Sequence, residues 1–177
     1  MAADPGSGRF VVRRGVAADV AAAVELFVVV AAEGRWIGRE VVNREERHAE
    51  LMAALRRSED TAVFVGEAGG EVVAQLGVTL RPYGVAELGM HVAPAWRGRG
   101  VGTALLEAAI AWARDAGAHK LALQVWPHNE PALGLYRKFG FVEEGRLRRH
   151  YRRRNGELWD AVVMGLVLDH HSPGAPA

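Results

Sequence analysis

A glycine-rich bend at residues 96–103, Trp-Arg-Gly-Arg-Gly-Val-Gly-Thr, constrains the chain more than any other stretch. It stands directly before the apolar run 104–112. Glycine costs backbone entropy and neighbouring arginines repel one another, so a bound anion would offset both costs. A helix N-terminus offers free N–H groups and partial positive charge, and glycine lets an anion approach them. The pattern predicts a phosphate-binding bend, with a basic turn that only caps the helix as the alternative.

Two well-known phosphate-binding motifs do not fit this bend. A Walker loop requires Gly-Lys-Ser/Thr, and the bend contains no lysine. A dinucleotide-binding fingerprint requires a glycine where this chain has Thr103, and no acidic residue ends the strand that follows the helix. The remaining pattern, Arg97-x-x-Gly100-x-Gly102, predicts a cradle for a pyrophosphate.

Hydrophobic periodicity places the bend within a mixed α/β (α+β) domain. A period of two predicts strands and a period of 3.6 predicts helices, with turn residues between them. The predicted order is β α α β β β α β α β β: 10–13, 17–32, 43–57, 61–67, 71–80, 86–92, 101–116, 121–126, 130–138, 141–151 and 157–168. The strand-helix-strand unit around the bend predicts that strands 86–92 and 121–126 are parallel.

Length and composition restrict the class of protein. The 177 residues, half of them hydrophobic, predict one domain at 9–169, between tails 1–8 and 170–177 that we expect to be disordered. The net charge of +1 argues against a nucleic-acid partner, and the histidines lack metal-ligand spacing. Without cysteine there is no disulfide, thiolate metal site or cysteine nucleophile. No signal peptide or membrane-length apolar run is present, so we expect a cytoplasmic protein without a membrane partner or a metal.

Two stretches resemble the GCN5-related N-acetyltransferase (GNAT) family. The first, VAPAWRGRGVGTALLEAAIAWA at 92–113, is similar to the family's pyrophosphate-binding motif, with Arg97, Gly100 and Gly102 at the signature positions. The second, LALQVWPHNEPALGLYRKFGF at 121–141, is similar to the strand and helix that follow it in the family. Its matching residues are Asn129, Ala132, Leu135, Tyr136, Gly140 and Phe141. The resemblance covers residues 10–168, nearly the whole chain.

The resemblance implies the GNAT fold: a mixed, mostly antiparallel sheet of about seven strands with helices on both faces. Its central parallel pair, 86–92 and 121–126, would splay apart. The resemblance implies acetyl-CoA as co-substrate and a primary amine as acceptor, which we interpret as a small molecule such as an amino acid or an antibiotic. Dimers are frequent in the family, so a homodimer is expected.

The resemblance also implies roles for individual residues. The pantetheine arm of acetyl-CoA would lie between the splayed strands and its diphosphate in the bend. The implied cofactor-binding residues are Met90, His91, Val92, Arg97, Gly98, Arg99, Gly100, Val101, Gly102, Thr103, Asn129, Ala132 and Tyr136. Tyr136 would also be catalytic, because a phenol with a pKa near ~10 stays protonated and can give its proton to the leaving thiolate.

The acceptor side of the site is predicted less directly. Glu33 and Trp36 stand in the loop 33–40, which borders the acceptor site in the resembling family, and they would contact an acceptor cation through charge and a cation–π interaction. The alternative is a charged loop with one anchoring tryptophan.

The general base is the point at which the chain departs from the pattern of the family. Some ribosomal-protein acetyltransferases of the family carry a glutamate on the strand after the loop helix, where this chain has Gln124. Glu87, on strand 86–92, is our candidate for the base, and an exposed strand glutamate is the alternative. His91 is a second candidate for the base. The alternative is that His91 is a buried strand histidine with a structural role only.

Three other functions remain compatible with the sequence. The first is acetylation of protein N-termini or lysines, and the second is a non-catalytic sensor domain that binds acetyl-CoA. The third is nucleic-acid binding through the basic run RLRRHYRRRN at 146–155. For that run we expect an exposed hairpin around its Asn155-Gly156 turn.

Overall fold

The protein is built on one sheet of seven strands. The computed structural model describes residues 8–168, and the predicted tails 1–8 and 170–177 lie outside these residues apart from Gly8. The strands are β1 Val11–Arg14, β2 Thr61–Ala68, β3 Glu71–Leu80, β4 Val85–Val92, β5 Lys120–Val125, β6 Val142–Arg152 and β7 Leu158–Val167. The helices are α1 Val20–Ala32, α2 Arg44–Arg56, α3 Val101–Asp115 and α4 Glu130–Lys138, with short 3-10 turns at Ala17–Asp19 and Pro94–Trp96.

The strand order confirms the predicted strand-helix-strand unit. The strands lie in the order β1-β2-β3-β4-β5-β7-β6. Neighbouring strands are antiparallel except β4 and β5, which α3 connects in parallel. The expected fold, a mostly antiparallel sheet with one central parallel pair, is therefore confirmed.

The parallel strands β4 and β5 pair only over their first three residues. Residues 85–87 of β4 pair with residues 120–122 of β5. Beyond these, β4 continues against β3 as far as Val92, and β5 continues against β7 as far as Val125. A gap therefore opens between β4 and β5 at the end of β4 that leads into the bend.

Helices cover both faces of the sheet. On one face, α3 and α4 pack on the main core, which includes Leu76, Leu105 and Leu121, each fully buried. On the other face, α1 and α2 pack through a smaller cluster that includes Val24 and Leu51. Because side chains alternate along a strand, every second residue of β3 and β4 faces α1 and α2 rather than the main core.

Three residues at helix ends have the conformations and contacts that their residue types favour. The side chain of Asn43 accepts hydrogen bonds from two backbone N–H groups at the start of α2. Asn129 accepts one at the start of α4 in the same way. Gly117 follows α3 with a φ of +78°, a conformation that glycine adopts most easily.

The first helix begins three residues later than predicted. The Asp19 carboxylate accepts hydrogen bonds from the Val16 N–H at 2.8 Å and from the Arg13 guanidinium at 2.7 and 2.8 Å. These contacts hold residues 17–19 in a 3-10 turn, and the α-helix starts at Val20. Among residues 8–168, no helix is both long and apolar enough to span a membrane.

Candidate active site

The bend between β4 and α3 brings backbone N–H groups to the surface. Gly98 and Gly100 have φ angles of +71° and +85°, which residues with side chains rarely adopt. Gly100 is the N-cap of α3 and makes no side-chain cap, so the first N–H groups of the helix stay available to a ligand. A β-carbon at Gly102 would lie 3.2 Å from the Leu135 side chain of α4, so that side chain would have to shift by a few tenths of an ångström. The bend is therefore shaped for close approach of an anion.

The two arginines of the bend make contacts within the protein. Arg97 donates through Nη1 to the Glu33 carboxylate at 2.8 Å and through Nε to the Val92 carbonyl at 3.1 Å. The Arg97 guanidinium, aided by the Trp36 indole N–H, holds the pKa of Glu33 below its usual value. The carboxylate for which we predicted an acceptor cation is thus engaged by the bend. The Arg99 guanidinium lies 5.2 Å from the centre of a Trp96 ring.

A cavity of about 1000 Å³ runs from the bend through the gap between β4 and β5. Most of the residues that the resemblance assigned to the cofactor line it together: Met90, His91, Val92, Arg97, Gly98, Gly100, Gly102, Thr103, Asn129, Ala132 and Tyr136. Val101 is instead buried in the main core, 1% exposed, and its side chain supports the bend from below.

The open edge of β4 presents main-chain groups to this cavity. The Ala93 N–H donates to the Val73 carbonyl of β3 at 2.8 Å. Because successive residues of a strand direct their N–H and C=O groups to opposite edges, Val92 and Met90 turn theirs toward the gap. The backbone of His91 faces β3, opposite Gln75, so His91 meets the cavity through its side chain.

Tyr136 projects from α4 into the same cavity. The residue is 6% exposed, and its ring packs 5.6 Å from the ring of Phe141. Burial raises the pKa of the Tyr136 phenol above its usual value. The phenol therefore keeps its proton throughout the neutral range.

No candidate for the general base is an ionised group inside the cavity. Glu87 is paired with Arg81 at 2.6 Å, precedes the gap and does not line the cavity. His91 lines it, but burial and, secondarily, the charge of Arg47 lower its pKa to about 3. Gln124 accepts a hydrogen bond from the Tyr151 hydroxyl at 2.6 Å. A carboxylate base would therefore act on an acceptor through water.

The half of the cavity next to α1 and α2 contains residues that the sequence analysis did not single out. Trp36, for which the sequence predicts a contact with the acceptor, is among the lining residues of this half, and that contact stays a prediction. The other lining residues of this half include Phe27, Val30, Ile37, Gly38, Arg47, Gln75, Gly77, Thr79, Gly89, Trp126 and Tyr151. The rings of Trp126 and Tyr151 meet edge to face at 4.9 Å. These residues come from two helices, three strands and two loops, and no local motif joins them.

Arg153 fastens the loop 33–40 to the hairpin of β6 and β7. It belongs to the basic run 146–155, but it is only 3% exposed. Its guanidinium donates to three backbone carbonyls of the loop at 3.0–3.3 Å and pairs with Glu40 at 3.3 Å. The predicted hairpin is confirmed, but the expectation that the run is exposed is wrong for Arg153, because the loop covers it.

Among residues 8–168, no group of three or more His, Asp or Glu side chains is arranged to hold a metal ion.

Comparison with known proteins establishes the family. Residues 35–141 match the model of the acetyltransferase (GNAT) family. The chain belongs to this family and is an N-acetyltransferase by class, which confirms the resemblance found in its motifs.

Named relatives extend this finding. The chain is 33% identical over 146 residues to the aminoglycoside N(6')-acetyltransferase type 1 of Stenotrophomonas maltophilia, a match that covers 77% of this chain and 88% of that one. It is 36% identical over 106 residues to the L-amino acid N-acetyltransferase AaaT of Escherichia coli (strain K12), a match that covers 55% of this chain and 63% of that one. For two further curated relatives the match spans about half of their length. The structure is similar to yncA of Salmonella typhimurium, described as an acetyltransferase with its cofactor acetyl-CoA, with a TM-score of 0.82, 26% identity and coverage of 96% and 98%.

We expect Arg153→Met to lower the free energy of unfolding by roughly 2–4 kcal/mol, because each buried carbonyl that loses its donor costs about 1–3 kcal/mol and water restores part of this. Urea unfolding followed by tryptophan fluorescence measures the change. Arg152→Met is the matched control, since Arg152 is the exposed neighbour, and a change within about 0.5 kcal/mol is expected there. Equal midpoints for the two variants would contradict the fastening role of Arg153.

Proposed function

We propose that the chain transfers the acetyl group of acetyl-CoA to a primary amine of a small molecule by direct attack. The observation that carries this proposal is the continuous cavity. It begins at the glycine bend, passes through the gap beside the protonated Tyr136 and ends at the loop 33–40 and α2. Family membership and the acetyl-CoA in the yncA structure support the same co-substrate.

The residues at the bend and the gap fit acetyl-CoA. The uncapped N–H groups at the start of α3 and the room at Gly98 and Gly100 suit a diphosphate. The main-chain groups of Met90 and Val92 are free of β5 and suit the amides of a pantetheine arm. Bound acetyl-CoA would supply an acetyl group activated as a thioester.

The side chains and main chain around the gap can then support the transfer. The acceptor amine attacks as the neutral form, and Glu87 takes its proton through water. The Val92 N–H donates to the acetyl oxygen as negative charge develops on it. Tyr136 gives its proton to the sulfur as the carbon–sulfur bond breaks and the carbon–nitrogen bond forms, and solvent returns the proton to Tyr136. This scheme keeps Glu87 as the base that the sequence predicts.

The alternatives that the sequence left open have less support. A sensor domain needs no proton donor at the gap, whereas the buried Tyr136 lies there. In the basic run, Arg146 is paired with Asp160 at 2.8 Å and Arg153 is buried under the loop, which does not favour a nucleic-acid surface. Acetylation of a protein N-terminus or lysine remains the second acceptor class. A homodimer and a cytoplasmic location stay predictions.

An amine panel tests transfer directly. Wild-type protein with acetyl-CoA should release free thiol with at least one amine, and mass spectrometry should show a product heavier by one acetyl group. Calorimetric binding of acetyl-CoA without thiol release for any small amine, peptide or lysine would contradict the proposal and favour the sensor.

Gly100→Ala should weaken acetyl-CoA binding about tenfold, because alanine at this positive φ costs about 1–2 kcal/mol and the bend relaxes away from the diphosphate. Calorimetry measures the affinity. Gly134→Ala is the matched control: Gly134 lies within α4, and a β-carbon there meets open space, so its affinity should equal that of the wild type. If both variants bind alike, the bend does not hold the diphosphate.

Tyr136→Phe should lower kcat by roughly 100-fold, the scale of a lost general acid, while the Kd of acetyl-CoA changes less than about twofold. Thiol release gives kcat and calorimetry gives Kd. An unchanged kcat would show that Tyr136 only packs against Phe141.

A further inference from the structure

Three polar atoms without partners belong to residues that line the cavity where it borders α2. They are Nε of Arg47, Oε1 of Gln75 and Nε2 of His91, each buried and without a hydrogen-bond partner among residues 8–168. Gln75 and His91 stand opposite each other on β3 and β4 and are 3% and 9% exposed. Buried polar atoms are nearly always paired in folded proteins, so three orphans in one cavity wall indicate a bound ligand.

A pair of facing glycines leaves room for that ligand. Gly77 of β3 stands opposite Gly89 of β4, one side-chain position along from the Gln75 and His91 pair on the same face of the sheet. A β-carbon on either glycine would meet nothing within 4 Å. The floor between β3, β4 and α2 is therefore a trough without side chains, which joins the gap at β4.

The charge of this trough is positive. Arg47 and Arg39 both bind the carboxylate of Glu50 at 3.0 Å, so two guanidiniums share one negative charge. The other arginine of the lining, Arg97, is neutralised by Glu33. No aspartate or glutamate is among the residues that line the cavity. Arg47 thus supplies the net charge that an acceptor meets here.

Arg47 is also held in place. Its guanidinium lies 4.4 Å from the centre of the Phe27 ring, and Phe27 in turn meets the His91 ring edge to face at 5.2 Å. With Nη1 engaged by Glu50, Arg47 still has its Nε–H to donate. A stacked, pre-positioned guanidinium loses little entropy when it binds a carboxylate.

We propose that Arg47, with His91, binds a carboxylate of the amine acceptor, so that the acceptor is an amino acid. The Nε–H of Arg47 and the Nε2–H tautomer of neutral His91 are the donors to the carboxylate, and Oε1 of Gln75, an acceptor, is available to an N–H of the same molecule. The trough over Gly77 and Gly89 then holds the rest of the molecule, and its amine reaches the gap. This inference rests on the proposed transfer and narrows its acceptor.

The same charges disfavour a polycationic acceptor. An aminoglycoside or a polyamine brings several ammonium groups, which carboxylates would have to receive. The lining offers none, and Arg47 repels them. The chain should therefore differ in acceptor from the aminoglycoside acetyltransferase that it resembles.

Wild-type protein provides the first test. The panel contains free α- and ω-amino acids, the carboxamide of each, spermidine and kanamycin. For the best acid, kcat/KM should exceed that of its carboxamide by about 10- to 100-fold, the scale of hydrogen bonds to a charged group. A carboxamide, spermidine or kanamycin that reacts as well as the best acid would overturn the proposal.

Variants assign the preference to Arg47. Arg47→Met should bring the ratio of kcat/KM for the acid to kcat/KM for the carboxamide close to one, by lowering only the value for the acid. Arg47→Lys should keep part of the preference for the acid. Arg44→Met is the matched control, since Arg44 lies on the same helix, pairs with Glu25 and does not line the cavity, and it should leave the ratio unchanged. A loss of stability alone would lower kcat/KM for the acid and for the carboxamide by the same factor. An unchanged ratio in Arg47→Met therefore contradicts the role of Arg47.

Binding separates this inference from the proposed function. Calorimetry with CoA present, run on every acid of the panel, should show saturable binding of at least one free amino acid, none of its carboxamide, and none of that acid to Arg47→Met. If no amine releases thiol but this pattern holds, transfer fails and the carboxylate site stands. If the acid and its carboxamide bind alike, or neither binds, the carboxylate site is refuted even where thiol release occurs.

Discussion

The separation of β4 from β5 beyond Glu87 is the constraint on which the rest of the structure depends. Inside a sheet, an edge without a neighbouring strand leaves N–H and C=O groups without partners, and proteins rarely leave such groups buried. Here the Val92 carbonyl accepts a hydrogen bond from Nε of Arg97, and the gap opens into the cavity. The main core contains residues of both halves of the sheet, such as Leu76 of β3 and Leu121 of β5, whereas the smaller cluster joins α1 and α2 to β3.

Ion pairs and hydrogen bonds over long sequence distances connect the acceptor side to this gap. Glu33 binds Arg97, which stands 64 residues further along the chain, and thereby ties the loop after α1 to the bend. Arg153 ties the same loop to the hairpin of β6 and β7. The loop proposed as one wall of the acceptor site is thus attached to the bend proposed to bind the diphosphate. A diphosphate at the bend would compete with Glu33 for Arg97, which couples the two halves of the cavity electrostatically.

The sequence predicts the parts of the site whose requirements are local. Gly98 and Gly100 have positive φ, and Asn129 caps the helix that it precedes. Each of these features depends on a few neighbouring residues and can be predicted from them. Arg153 could not be recognised, because it is one of six arginines in the run 146–155 and is buried by a distant loop. Arg47 looks like a surface residue of a charged helix until the fold sets Phe27, Gln75 and His91 beside it. Only the fold shows that Gly77 and Gly89 face each other.

A crystal structure of the protein with acetyl-CoA tests the central claim most directly. We expect diphosphate oxygens within hydrogen-bond distance of the N–H groups of the bend at 97–102. We also expect the pantetheine arm between β4 and β5, paired with the main chain of Met90 and Val92. Acetyl-CoA bound elsewhere, with the bend empty or with β4 and β5 paired along their whole length, would contradict that claim.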